Sequence, residues 1–158
     1  MSSIPFQPRG MYFEDFKVGQ RITTVGRTVT EADVVAFAGL SGDFNQLHTD
    51  VEYASKTHFG QRVVYGLLGL SIASGLATRT GILEGTAIAF REISDWKFVK
   101  PVFIGDTIHV ELEVSEVKPM NRIGGGSVVI SVHVVNQHSQ EVMRGSWNVL
   151  VVSRPEAK

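Results

Sequence analysis

Leu67-Leu-Gly-Leu-Ser-Ile-Ala-Ser-Gly-Leu-Ala-Thr-Arg-Thr80 is the stretch on which the fold turns. Its large apolar residues, Leu67, Leu68, Leu70, Ile72 and Leu76, go round a helix rather than down one side. A helix that is apolar on every side is buried on every side. The other positions, among them Gly69, Ala73, Ser74, Gly75 and Ala77, are small enough for neighbouring backbone to come close. The pattern predicts a helix over Leu67–Thr80 that is almost wholly buried and stops before Gly81.

Downstream of that helix the period changes to two. Ile108, Val110, Leu112 and Val114 alternate with Thr107, His109, Glu111 and Glu113. Val128, Ile130, Val132 and Val134 alternate with Val129, Ser131 and His133, and Trp147, Val149 and Val151 mark a last strand. Ile88 to Phe98 reads as a further strand whose parity slips near Ile93, as at a bulge. One polar face per strand means antiparallel pairing with one wet side. Upstream, residues 1 to 19 read as an irregular arm and Arg21 to Val29 as a first strand. Thr30 caps a helix with Glu31 and Asp33 in its first turn, where the helix dipole favours acid, and Gly42 ends it. After the loop Asp43–His48, Asp50 caps a short helix over Val51 to Lys56. The expected architecture is α+β, one domain over residues 1–158, with about five antiparallel strands curved round the central helix.

Composition narrows the function. The 158 residues carry a formal net charge of −1 and no basic run, so nothing draws the chain to nucleic acid or an anionic membrane. Cysteine is absent, which removes disulfides, thiolate metal sites and a cysteine nucleophile, and fits a reducing compartment. Met1-Ser-Ser-Ile-Pro-Phe6 lacks the pattern of a signal peptide, and Val63 to Ala77 is too short and too rich in Gly and Ser to span a bilayer. A cytoplasmic protein is expected. His58, His109, His133 and His138 lack metal-ligand spacing, and the strand parity of His109 and His133 points them to solvent, so no metal is expected. Gly124-Gly-Gly126 lies between two strands with no helix after it and reads as a hairpin turn rather than a phosphate loop. Arg62, Arg91, Lys97 and Lys100 each read singly as solvated surface.

The chemistry lies in Phe37-Ala-Gly-Leu-Ser-Gly-Asp43-Phe-Asn45-Gln-Leu-His48. An acid and an imidazole stand five residues apart on a loop between helices, where catalytic groups commonly sit. His is a natural general base near neutral pH, and a nearby carboxylate can share its water. Gly42 and Asn45 flank the acid and suit a tight loop. Next, Val63-Val-Tyr65-Gly66 leads into the buried helix. The first N–H groups of a helix are free, and they suit the oxyanion of a thioester under attack.

Ser41-Gly-Asp-x-Asn-x-Leu-His48 resembles the motif of MaoC-like dehydratases and (R)-specific enoyl-CoA hydratases, which usually reads Gly-Asp-x-Asn-Pro-Leu/Ile-His. The likeness extends over nearly the whole chain, including Tyr12-Phe-Glu-Asp-Phe-Lys-Val-Gly19, Gly26-Arg-Thr-Val-Thr30 and Pro101-Val-Phe-Ile-Gly-Asp106. It implies the hot-dog fold, with Asp43 and His48 as the catalytic pair and Gly66 as the oxyanion donor. Ser74 matches a position that supports the site by hydrogen bonding; a small packing residue is the other reading. Asn45 reads as a shaper of the loop ahead of a substrate contact. Gln46 stands where the family has Pro. Tyr65 stands where many members have His, and either reshapes the pocket or belongs to the core. The family further implies an acyl-CoA substrate, an (R)-3-hydroxyacyl product, no cofactor beyond the coenzyme A of the substrate, and a homodimer or dimer-based oligomer.

Two rivals stand beside hydration. An acyl-CoA thioesterase would hold its water against the thioester carbon instead of C3. A non-catalytic acyl-CoA binding module would have no use for both Asp43 and His48.

Overall fold

Strand alternation is what closes the core. The computed structural model describes residues 9–155; the first eight residues of the expected N-terminal arm lie outside them. A 3-10 turn at Phe13–Asp15 precedes β1 (Arg21–Thr23), β2 (Arg27–Thr28), α1 (Glu31–Ser41), α2 (Gln46–Thr49) and α3 (Val51–Ser55). Then come α4 (Gly66–Arg79), β3 (Ala87–Phe98), β4 (Thr107–Met120), β5 (Gly125–Asn136) and β6 (Glu141–Val152). The strands form one antiparallel sheet in the order β1-β4-β5-β6-β3, with β2 also on β4. Val110 lies opposite Val134, Leu112 opposite Val132, and Ile130 opposite Trp147, so the inward sets face one another. Ile108, Val110, Val128, Val132, Val134, Val149 and Val151 are fully buried. Each such side chain contributes roughly 1.5–3 kcal/mol over leaving it in water.

This core is capped by α4. Leu68, Ile72, Ala73, Leu76 and Ala77 pack against the sheet, and the curved sheet round one helix is the hot-dog arrangement. The helix is not buried on all sides, however. Leu67 is 61% exposed, and Ser71, Gly75 and Thr78 are exposed with it. These positions recur at helical spacing along one face, so a sheet one layer thick covers α4 from one side only. The all-round apolar pattern misleads because it counts apolar residues without asking which of them the chain itself can cover. The strand beside that face, β3, is likewise open, with Ile88, Phe90, Ile93 and Phe98 all exposed.

Other expectations need smaller corrections. The first strand is broken: residues 24–26 leave the ladder between β1 and β2, and the Thr24 hydroxyl accepts the Val110 N–H at 2.9 Å. The register of β3 on β6 shifts at three places, and Asp95 adopts a positive φ of 53°, so the slip near Ile93 is real. Between β4 and β5 the chain makes a 3-10 turn, Asn121–Ile123, and only Gly124 is left-handed, with φ 62°. Gly125 and Gly126 already belong to β5; a Cβ on Gly125 would stand 2.0 Å from the Val151 carbonyl oxygen. Nor is His133 free in solvent. It is half-buried and ion-paired with Glu141, whose carboxyl is held below its ordinary range chiefly by that hydrogen bond, with Arg144 adding to it.

Candidate active site

Local hydrogen bonds build the chemical loop before any long-range contact does. Thr30 and Asp33 form a reciprocal capping box at the start of α1. Gly42 ends the helix with φ 73°, a conformation glycine adopts without penalty. The Asp43 N–H donates to Ser41 Oγ at 3.2 Å, and the Asn45 N–H to Asp43 Oδ1 at 3.0 Å. Asn45 then caps α2, its Oδ1 accepting the Leu47 N–H at 2.9 Å. The expected loop is therefore shorter than the spacing implied: Asp43 is on it, whereas His48 rides on α2. Asn45 is a shaping residue, and Asp50 caps α3 by accepting the Tyr53 N–H at 2.9 Å.

Long-range contacts decide how these groups present themselves. His48 Nδ1 lies 2.6 Å from the Val63 carbonyl oxygen. A carbonyl only accepts, so Nδ1 carries the proton and Nε2 of the neutral ring keeps its lone pair. Tyr65 is 3% exposed. Its ring centroid is 3.9 Å from that of His48, and its hydroxyl donates to the Asp43 backbone carbonyl at 2.6 Å. Burial, and then the charge of Asp43, raise the Tyr65 phenol above its ordinary value of 10.0. Tyr65 thus contacts both the His48 ring and the main chain of Asp43, and no hydrogen bond joins the Asp43 carboxylate to His48. The carboxylate is exposed in the single chain.

A pocket of about 450 Å³ opens beside His48, walled by Tyr65, Gly66, Phe98, Lys100 and Met143 among others. Its floor is the start of α4. The Tyr65 side chain makes no capping bond there, so Gly66 heads a first turn of free N–H groups. Space is tight at that point as well: a Cβ on Gly66 would stand 2.6 Å from the Phe98 ring as it lies. Ser74 is not brought to this pocket. It lines a second hollow of about 390 Å³ with Leu70, Phe90, Ile93 and Trp147. Arg62 is not free surface either; it forms a two-pronged ion pair with Glu31 and lowers that carboxyl. Phe98 and Met143 carry no signal in the sequence that points to a site; Phe98 merely ends an irregular strand. Lys100, expected as plain surface, is exposed at the pocket wall. Among the described residues no cluster of His, Asp or Glu is placed to share a metal ion, and no helix is long and apolar enough to cross a membrane.

The chain is similar in sequence and fold to known proteins. The chain is 42% identical over 105 residues to the protein MaoC of Klebsiella aerogenes, aligning 66% of its own length with 31% of that protein; it spans less than a third of this relative. It is 38% identical over 109 residues to an (R)-specific enoyl-CoA hydratase of Rhodospirillum rubrum, covering 68% of this chain and 72% of that one. An unliganded R-hydratase from Pseudomonas aeruginosa superposes with a TM-score of 0.78 at 29% identity, over 94% of this chain and 93% of the other. The profile of the MaoC-like domain matches residues 15–136, and the chain belongs to that family.

Proposed function

We propose that the chain is a hydro-lyase that reversibly hydrates a 2-enoyl-CoA thioester to the (R)-3-hydroxyacyl-CoA. The observation that carries the reading is the contact of His48 Nδ1 with the Val63 carbonyl oxygen. With Nδ1–H spent on the Val63 carbonyl, Nε2 is the free base at the pocket. The free N–H groups at Gly66 suit the thioester oxygen, which gains negative charge as water attacks. Water bound between His48 and Asp43 adds its oxygen to C3 as Nε2 takes one of its protons. The enolate that forms collects a proton at C2 from the same pair, so one molecule of water is added across the double bond and no other reactant is consumed. Both events use one face. The name carried by the Rhodospirillum relative supports this reaction over thioester hydrolysis.

The only coenzyme required is the CoA of the substrate, and a chain without cysteine suits the reducing cytoplasm. The open faces of α4 and β3 support a homodimer. Light scattering of the native protein is expected to give a dimer or a multiple of it, and Leu67→Glu, which puts charge in the open face, is expected to weaken it. The reaction itself is tested with crotonyl-CoA. Loss of the conjugated-thioester absorbance without release of free thiol is expected; release of thiol would make the protein a thioesterase, and neither signal would leave a binding module.

A further inference from the structure

We infer that Tyr65 is a positioning residue that holds Asp43 and His48 in fixed relation, its hydroxyl tying down the Asp43 segment and its ring backing the His48 imidazole. This rests on the hydratase reading of the same site.

Each catalytic group is tethered differently. The bonds within the Asp43 segment, to Ser41 and from Asn45, are all local. Together with the His48 N–H on the Asn45 carbonyl and the Thr49 hydroxyl on the Phe44 carbonyl, they shape the turn and its join to α2, but none of them ties the Asp43 main chain to a part of the fold distant in sequence. His48 is set through Nδ1 by Val63. Val63 in turn belongs to a stretch pinned to the rest of the fold: it forms an antiparallel bridge with Phe103, and the Val64 N–H donates to the Val102 carbonyl at 2.8 Å. Tyr65 belongs to this same stretch. Its 2.6 Å bond to the Asp43 carbonyl spans 22 residues and refers the acid to the frame that already holds the base and Gly66.

The side chain is suited to that work. It is held between Phe37, at a ring separation of 5.1 Å, and His48, at 3.9 Å, and a tyrosine has only two side-chain torsions to fix. Burial and the Asp43 charge keep the phenol protonated, so it remains a donor across the working range of pH. A water shared by two groups demands that both be in place, and a misplacement of about 1 Å can cost on the order of a hundredfold in rate. The competing role is filler between Phe37 and His48, for which the hydroxyl is irrelevant.

Tyr65→Phe separates the two, because it keeps the ring and deletes only the hydroxyl. Turnover of crotonyl-CoA across pH, and amide hydrogen exchange by NMR at Asp43 and Asn45, the hydrogen-bonded amides of the turn, are measured on wild type, Tyr65→Phe and Phe37→Leu. Tyr65→Phe is expected to lower kcat about tenfold with KM within twofold, to change the pH profile of kcat, and to speed exchange at Asp43 and Asn45 about tenfold. Phe37→Leu, which leaves the hydroxyl bond in place, is expected to hold kcat within about threefold and to control for simple loosening of the core. Wild-type kcat in Tyr65→Phe, a change confined to KM, or unchanged exchange in the loop overturns the inference. Absence of hydration by the wild-type protein would remove the hydratase reading, and the exchange rates would still decide whether Tyr65 holds the loop.

Discussion

His48 and Val63 are joined by a hydrogen bond of 2.6 Å from ring to backbone carbonyl across 15 residues of chain. The contact fixes both the ring's orientation and its tautomer, and so decides which nitrogen is available as a base. A histidine held only by local contacts could use either.

His48→Ala and Asp43→Asn are each expected to lower hydration of crotonyl-CoA by about a hundredfold or more, in the range of general acid–base contributions. If the two share one water, the double variant is little worse than either single one, since groups acting as a unit do not add. Kinetics on the four proteins, with circular dichroism as a fold control, give the answer. Losses that multiply would mean that the residues act separately.

Gly66 and Phe98 form a steric pair at the pocket floor. A Cβ at Gly66 would stand 2.6 Å from the Phe98 ring, and Phe98, at 54% exposed, has room to swing away. Gly66→Ala is therefore expected to fold but to push an aromatic wall into the pocket, raising KM for enoyl-CoA about tenfold. Adding Phe98→Ala is expected to recover most of that loss. A double variant as poor as Gly66→Ala alone would show that the glycine matters for another reason.

Gly125 has no such escape. The atom in its way is the Val151 carbonyl oxygen, at 2.0 Å from an added Cβ, and Val151 is paired on both sides, with Gly126 and Ala87, so its backbone cannot rotate aside. Gly125→Ala is expected to destabilise by about 2–3 kcal/mol, the range of overpacked sites, read as a lower midpoint in urea. Gly69→Ala is the contrast: its neighbour is the flexible end of Met143, and the loss is expected to be smaller.

Acid should destabilise the chain through carboxylates that folding holds low. Asp33 is held below the usual 3.8 first by the Thr30 backbone N–H and also by Arg27; Glu31, beside Arg62, is held below the usual 4.5. A depressed carboxyl contributes stability above its unfolded pKa and loses it as pH falls through the folded value. Denaturant midpoints are thus expected to be flat from pH 7 to 5 and to fall below about pH 4.5. Asp33→Ala, which breaks the capping box, is expected to cost about 1 kcal/mol at pH 7 and to make the acid limb shallower. An unchanged acid limb would mean that other groups control it.

Much was legible in the sequence because it is written locally. A two-residue period settles which side chains of β4 and β5 face inward. Thr30, Asp33 and Gly42 mark α1 by hydrogen bonds that reach three or four residues. Asp43, Asn45 and His48 fall close enough along the chain for their motif to be seen without a fold.

What the tertiary structure alone decided lies across distance. Composition named α4 as apolar all round, but only the curvature of a one-layer sheet determines that Leu67 and Ser71 face out while Leu68 and Ile72 face in. No spacing pairs His48 with Val63, Asp43 with Tyr65 or Gly66 with Phe98. Those contacts exist because the stretch before α4 is pinned at Val102 and Phe103 and runs beneath the chemical loop. Local sequence sets a residue's conformation and the chemistry it offers; which partner meets it depends on how separate elements pack, and that is settled only when the whole core closes.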